Sequence, residues 1–447
     1  MLIIYTIIYT LSMVLYYFRY NIIASGLMIA LAIFLYVIDF RKEKRLITIK
    51  GLFALGFIGG FGVSLLKLSA LSMEYSIKTF LVIYVSYFSM YLGSYFSKDK
   101  KLSLSNYKGM YDSKEMPYSQ KEKILICFFI ITFLAFVIEV IKLKFIPLMT
   151  IATPHAYSTF HVYMLHYITS LYVFIPSIAI CNYHHEKSKR SRVAVLLSYM
   201  YVVLLSALML SRGQLIMSIV LSVFVILILN GKDIFEIFNS RRNRLAVIIV
   251  VVILSILYVF ITVHRAHDVA YLKGIFEMKD SNMPIYIAQP YMYVAHNYEN
   301  LNYMINNLKH HTFGRMTLVP LFTLTFMKKL FPFAIGAPNL VIKEELSTKT
   351  LIYDSYYDFG IVGVMIFCFI IGYIGSILEN YVYMIEDNKG SIKGSYFAVL
   401  FSLLCYYMLF SFMQSYFSLT DTWFNIIVLL IVCFIEISVS VVKKRNK

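Results

Sequence analysis

Charged residues are scarce in this chain, 15% of 447 residues against a hydrophobic share of 60%, where soluble domains carry about 25% charge. The shortage excludes a fold with water as its only solvent. Cysteine offers no framework: Cys127, Cys181, Cys368, Cys405 and Cys433 all fall inside apolar stretches. None shows C-x-x-C or Cys/His ligand spacing, so neither a disulfide scaffold nor zinc is indicated, and they read as small packing or lipid-facing residues. A Gly-rich phosphate loop, a Rossmann fingerprint and a D-x-D motif are also missing, which leaves ATP-driven or nucleotide-sugar chemistry without a home. The start, Met1-Leu2-Ile3-Ile4, has no positive n-region and no A-x-A site, and is expected to be a retained first span rather than a signal peptide.

Long apolar runs are what the chain does have. A hydrocarbon core of about 30 Å needs about 20 apolar residues in a helix. By that ruler the sequence holds twelve spans, near 2–18, 21–39, 47–66, 79–97, 124–142, 163–183, 193–210, 213–230, 245–263, 359–382, 395–416 and 423–442. The expectation is an all-α polytopic membrane protein, a single membrane domain over 1–447. Its formal net charge of +17 sits in short blocks between spans rather than on one interleaved face, which argues for topology and against nucleic acid. The blocks at 41–45, 98–123, 187–192, 241–244 and 443–445 all fall on one side when spans are counted. That side is cytoplasmic by the positive-inside rule. Both termini are then cytoplasmic, and the longest connection, 264–357, is extracytoplasmic.

Within the spans, Gly56, Gly59, Gly60 and Gly62 suggest close helix packing. Glu139, Glu379 and Glu436 are intramembrane acids and by default functional candidates, but no matching partners stand out in sequence, so a proton relay is not favoured. Cytoplasmic connections are short, so any reaction belongs within the membrane or on its outer face, with a membrane-borne donor.

Apart from Arg19, the arginines placed outside are Arg212, Arg265 and Arg315, against the positive-inside bias. Arginine binds phosphate bidentately and keeps its charge near lipid, which suits a pyrophosphate headgroup. The alternatives are that Arg265 complements a helix C-terminus and that Arg212 punctuates a hairpin. Histidines cluster in the same region: His264 and His267 share one face of a continued helix, and His311 lies four residues before Arg315. Histidine titrates nearest neutrality and can serve as a general base; solvated interfacial histidines are the competing reading. No third ligand stands at metal spacing. Residues 286–308 have roughly helical spacing and 316–327 is an apolar run too short to span, so both are expected to lie on the membrane or re-enter it. Asp358 is placed to N-cap the span that follows, and a carboxylate there could also act as a base.

Three kinds of match carry a family resemblance: Ser211-Arg212-Gly213, the stretch Ile287–Tyr293 leading to Glu299-Asn300-Leu301, and Phe313-Gly314-Arg315 with Tyr356-Tyr357-Asp358-Phe359-Gly360-Ile361-Val362-Gly363. In these, and in its spans and late outer loop, the chain resembles the bacterial oligosaccharide repeat-unit polymerases, the O-antigen and capsular polysaccharide polymerases often called Wzy. The resemblance implies a GT-C-like, metal-independent membrane glycosyltransferase without cofactor, multi-pass in the bacterial cytoplasmic membrane. Its substrates would be undecaprenyl-pyrophosphate-linked oligosaccharides and its surroundings the lipid bilayer, with room for other polysaccharide-assembly proteins and no role for nucleic acid. It further implies that Arg212, Arg265, Arg315 and Tyr356 bind substrate, and that His264, His267, His311 or Asp358 is the catalytic base. Which of the four stays open. A related ligase, and a lipid-linked oligosaccharide flippase or transporter, are the alternatives.

Overall fold

The computed structural model describes residues 1–99, 116–150, 156–230, 269–327, 330–331, 336–387 and 395–445. In chain order its main helices are α1 (Leu2–Tyr17), α2 (Asn21–Glu43), α3 (Ile49–Ser64), α4 (Ile77–Asp99), α5 (Tyr118–Leu143), α6 (Leu165–His185), α7 (Lys189–Leu208), α8 (Arg212–Asn230), α9 (Val269–Phe276), α10 (Ile285–Asn307), α11 (Tyr353–Asp387), α12 (Phe397–Leu409) and α13 (Thr420–Arg445). Among the described residues the only β pairing is an isolated antiparallel bridge between Ser69 and Met278. Eight of these helices, α2, α4 to α8, α11 and α13, are long and apolar enough to cross a membrane. Shorter apolar helices α1, α3 and α12 stand at three further expected spans, and the one expected at 245–263 lies outside the described residues. The chain is therefore an all-helical, multi-pass membrane protein. Exposed faces such as Ile126, Ile130, Phe133 and Leu134 on α5 are apolar, as lipid contact requires.

The backbone packs as two compact units. The first comprises Met1–Ser103, Val269–Asn380 and Tyr407–Phe424. Its α3 begins at Thr48, whose side chain accepts from the Gly51 N–H, and relaxes into a π-helical turn at Ala54–Ile58. The glycines of α3 serve close packing: a Cβ at Gly56 would lie 2.1 Å from the Leu409 carbonyl oxygen, and one at Gly60 would meet Phe412 and the Tyr298 hydroxyl at 2.9 Å. At the C-terminal end of α2 the buried acids are paired. Lys50 meets Asp39 at 2.7 Å, and Glu379 accepts from the Ile49 N–H at 3.1 Å with Arg45 3.7 Å away. Just before the N-terminal end of α2, Arg19 pairs with Glu74.

The helical spacing read at 286–308 is realised as α10. Most of its second half is buried, including His296, Asn297, Glu299, Asn300 and Asn302. The polar residues of α10 meet backbone groups of other segments. Asn300 donates to the Leu346 and Thr348 carbonyls at 2.7 and 2.9 Å and accepts from the Ile342 N–H. Tyr298 donates to the Phe57 carbonyl at 2.6 Å.

The second unit comprises Leu104–Asp268, Tyr381–Tyr406 and Asn425–Lys447. A capping box between Ser188 and Ser191 starts α7. Near the N-terminal end of α5, buried Lys121 faces Glu436 at 3.3 Å, and Glu436 also accepts from Ser395 and the Tyr396 N–H at 3.0 Å. Glu139 lies on the same helix, about 27 Å away at about 1.5 Å per residue. Both acids have local partners, as does Glu379.

Candidate functional site

Asp358 is fully buried, and its carboxylate is not directed at the start of the helix that follows. Thr312 Oγ1 and the Met316 N–H donate to it, and so do the Thr317 N–H at 2.7 Å and Thr317 Oγ1 at 2.8 Å. An ionised carboxylate only accepts, and four donor groups already occupy this one. Asp358 thus folds the 312–317 turn onto α11 rather than capping the span. Phe313 and Gly314 complete that turn in the left-handed region, at φ 48° and 98°.

The turn sets the positions of His311 and Arg315. His311 Nδ1 lies 3.2 Å from the Tyr357 carbonyl; a carbonyl can only accept, so Nδ1 carries the proton and Nε2 is left as the acceptor. Gly360, at φ 61° and ψ −149°, kinks α11 in a region open essentially to glycine alone. A Cβ there would fall 3.0 Å from His311 Nε2, so the same glycine makes room for the imidazole. The His311 ring stands edge-on to Tyr356, centroids 6.0 Å apart, and Lys78 Nζ lies 5.7 Å from the Tyr356 ring centre. Arg315 is exposed, its charge reaches Tyr357, and its carbonyl accepts from the Gly336 N–H at 2.8 Å. The first unit therefore sets exposed Lys78 and His311 against the Tyr356 ring, with exposed Arg315 on the adjoining turn. Such a grouping suits a phosphate-bearing ligand. Lys78 carries no sequence signal of its own, since it opens an apolar helix and meets the others only through the fold.

Beside this face, an ion pair joins α10 to the connection after α3. Lys67 Nζ lies 2.6 Å from Glu299 Oε1, donates to the Met73 carbonyl and sits 3.2 Å from the Tyr75 ring centre. Glu299 also accepts from the Tyr75 hydroxyl and the Met73 N–H at 3.0 Å. Burial brings the Lys67 ammonium down to about 8 and pushes the Glu299 carboxyl up; each shift is opposed by the partner's charge. His296 is brought down to about 4 by burial and then by Lys343, so it is neutral at physiological pH.

Arg212 belongs to the second unit, where it is buried as the first residue of α8. Two residues on, Gln214 donates to Ser170 Oγ at 3.1 Å and accepts from the Tyr172 hydroxyl at 3.0 Å. His264, Arg265 and His267 lie outside the described residues. Among the described residues no group of three His, Cys, Asp or Glu side chains is placed to hold a metal ion.

A family model described as "Putative O-antigen polymerase" matches residues 52–408. No curated protein and no solved structure gives a match.

Proposed function

Because the chain belongs to the O-antigen polymerase family, we propose that it joins undecaprenyl-pyrophosphate-linked oligosaccharide repeat units into a surface polysaccharide at the outer face of the bacterial cytoplasmic membrane. The observation that carries this reading is a family match from residue 52 to residue 408 on a chain whose helices are those of a multi-pass membrane protein. Both substrates of such a reaction are membrane-borne, which agrees with short cytoplasmic connections and no nucleotide-binding motif. We propose twelve crossings and cytoplasmic termini. By this reading the protein is a metal-independent, GT-C-like glycosyltransferase.

In the reaction the hydroxyl at the non-reducing end of one repeat attacks the anomeric carbon of the other glycan. A new C–O bond forms, the bond to pyrophosphate breaks, and the leaving group carries away the electron pair. Arg315, with Lys78 and His311 beside it, is proposed to hold a lipid diphosphate in the first unit. The planar guanidinium fork gives that site direction as well as charge. Arg212 in the second unit and Arg265 are proposed as further phosphate ligands. Such cations lower the barrier because negative charge grows on the departing group. The saturated carboxylate of Asp358 supports a positioning role, and a base must be sought among the histidines.

The test is the lipid-linked glycan pool of cells lacking this protein. Accumulation of single repeats on the outer face is the expected result. Full-length polymer retained on the lipid would indicate a ligase instead, and repeats trapped on the cytoplasmic face a flippase.

A further inference from the structure

Glu139 and His166 lie 27 residues apart and nothing in their spacing pairs them, yet the fold of the second unit does. Glu139 sits near the C-terminal end of α5 and is fully buried, whereas the His166 side chain, in the first turn of α6, is 23% exposed. His166 Nδ1 lies 3.2 Å from Glu139 Oε1. The same carboxylate accepts from the Val162 N–H at 3.2 Å and from Thr169 Oγ1 at 2.8 Å. Three donors from one short segment hold the acid in place, which is what a carboxylate taken out of water requires. Since an ionised carboxylate is only an acceptor, Nδ1 carries the ring proton and Nε2 is left as the acceptor. A carboxylate behind the ring also fixes the tautomer and the orientation of the imidazole. His311 is held by a neutral carbonyl instead.

The surroundings complete an end-of-bundle site within this unit. Ser170, one turn along α6, donates to the His166 carbonyl at 2.7 Å and accepts from Gln214, so the start of α8, with Arg212, is tied to the His166 turn. Among the described residues, ionisable groups beside His166 include Glu139 on α5, the exposed His161 with ring centroids 5.1 Å apart, and Tyr167 on its own helix, whose ring is 6.2 Å from His161. The His161 imidazole is held below its usual range by burial and then by His166, which favours its neutral form.

We propose that His166, oriented by Glu139, is the general base of the transfer. The inference rests on the polymerase reading. His166 Nε2 takes the proton of the attacking sugar hydroxyl as its oxygen bonds to the anomeric carbon; the bond to the pyrophosphate oxygen breaks and the imidazolium later returns the proton to water. Glu139 is a positioning residue, acting through the imidazole and stabilising it once protonated.

The experiment measures the initial rate of polymer formation from about pH 5 to about pH 9, across the histidine range. Full-length protein in liposomes is supplied with lipid-linked repeats extracted from cells lacking it. Wild type should lose rate as pH falls. His166→Gln should lose at least about 100-fold, the lower end of what a general base contributes, and its acid limb should vanish. Glu139→Gln keeps the hydrogen bonds, because its amide oxygen accepts from Val162 and His166 while its NH2 donates to a rotated Thr169 hydroxyl. It loses the negative charge facing the ring, so the imidazolium formed during transfer is less stabilised, and its acid limb should move to lower pH with a reduced maximum. A structural role for the pair would lower the amount of inserted protein and leave the limb where it is. His166→Gln at near wild-type rate with an unchanged limb overturns the inference; if that variant does not insert, an unmoved limb in Glu139→Gln overturns it equally. No polymer from wild-type protein would sink the polymerase reading and this inference together.

Discussion

Both oxygens of Asp358 are occupied, so asparagine there is not a silent change. Its NH2 would face at least one of the Met316 and Thr317 donors, and a buried donor left unmatched costs about 1–3 kcal/mol. Asp358→Asn should therefore speed amide exchange at Met316 and Thr317 and lower polymer synthesis at normal protein level. Unchanged exchange at those amides would remove the anchoring role. For Arg315 the informative change is lysine, which keeps the charge and loses the fork. Polymerisation by Arg315→Lys should need at least about tenfold more lipid-linked substrate to reach half its maximal rate, as expected for loss of a bidentate phosphate contact; an unchanged requirement would make Arg315 a membrane anchor. Both residues stand out in the sequence as candidates, Arg315 by its place in the outer loop and Asp358 by its place at the start of the next span. What was not legible is how Asp358 is used, because Met316 stands 42 residues earlier and only the fold brings the two segments together. His166 was missed for the same reason: Glu139 could be read as an intramembrane acid, but its partner could not.

Elements were easier to find than to place. The helical period of 286–308 gave α10 to within a residue or two, but not the use of its Asn and Glu side chains, which satisfy loop backbone and one buried cation. Periodicity reports that two faces differ, not which neighbour each will meet. The Lys67–Glu299 pair makes the placement testable. Removing one partner leaves an uncompensated buried charge, at about 3–5 kcal/mol, whereas replacing both by apolar residues of similar volume is often neutral or stabilising. Glu299→Ala should strongly lower the unfolding temperature in detergent, and the double variant Lys67→Met with Glu299→Leu should recover most of the loss. A double variant as unstable as the single one would show that the hydrogen bonds to Met73 and Tyr75, rather than the charge pairing, hold α10 in place.

At the scale of the whole molecule, hydrophobic length and charge blocks carried most of the information, because a bilayer imposes one ruler on every span and one sign preference on every connection. The eight long apolar helices and three shorter ones fall where that ruler put them. The division into two compact units was not legible, since it depends on which helices pack together rather than on how long they are. Orientation is the property on which the functional reading depends, and each unit bears on it separately. In the first, the basic 41–45 block and the Lys50 and Glu379 pairs mark one end of α2, while Arg19 before its other end pairs with Glu74, close in sequence to Lys78. In the second, Lys121 and Arg190, paired with Glu436 and Glu122, stand far along α5 from Glu139 and His166. If the basic ends are cytoplasmic, both histidine-bearing ends face outward. The check is thiol labelling of intact cells with a membrane-impermeant reagent, in protein whose exposed Cys127 has been changed to serine. Ser281→Cys, in the exposed connection between α9 and α10, should label at once. Lys187→Cys, in the exposed connection between α6 and α7, should label only after the membrane is opened. The opposite pattern would put His166 and His311 on the cytoplasmic side, and the outer-face chemistry proposed for them would fall with the orientation.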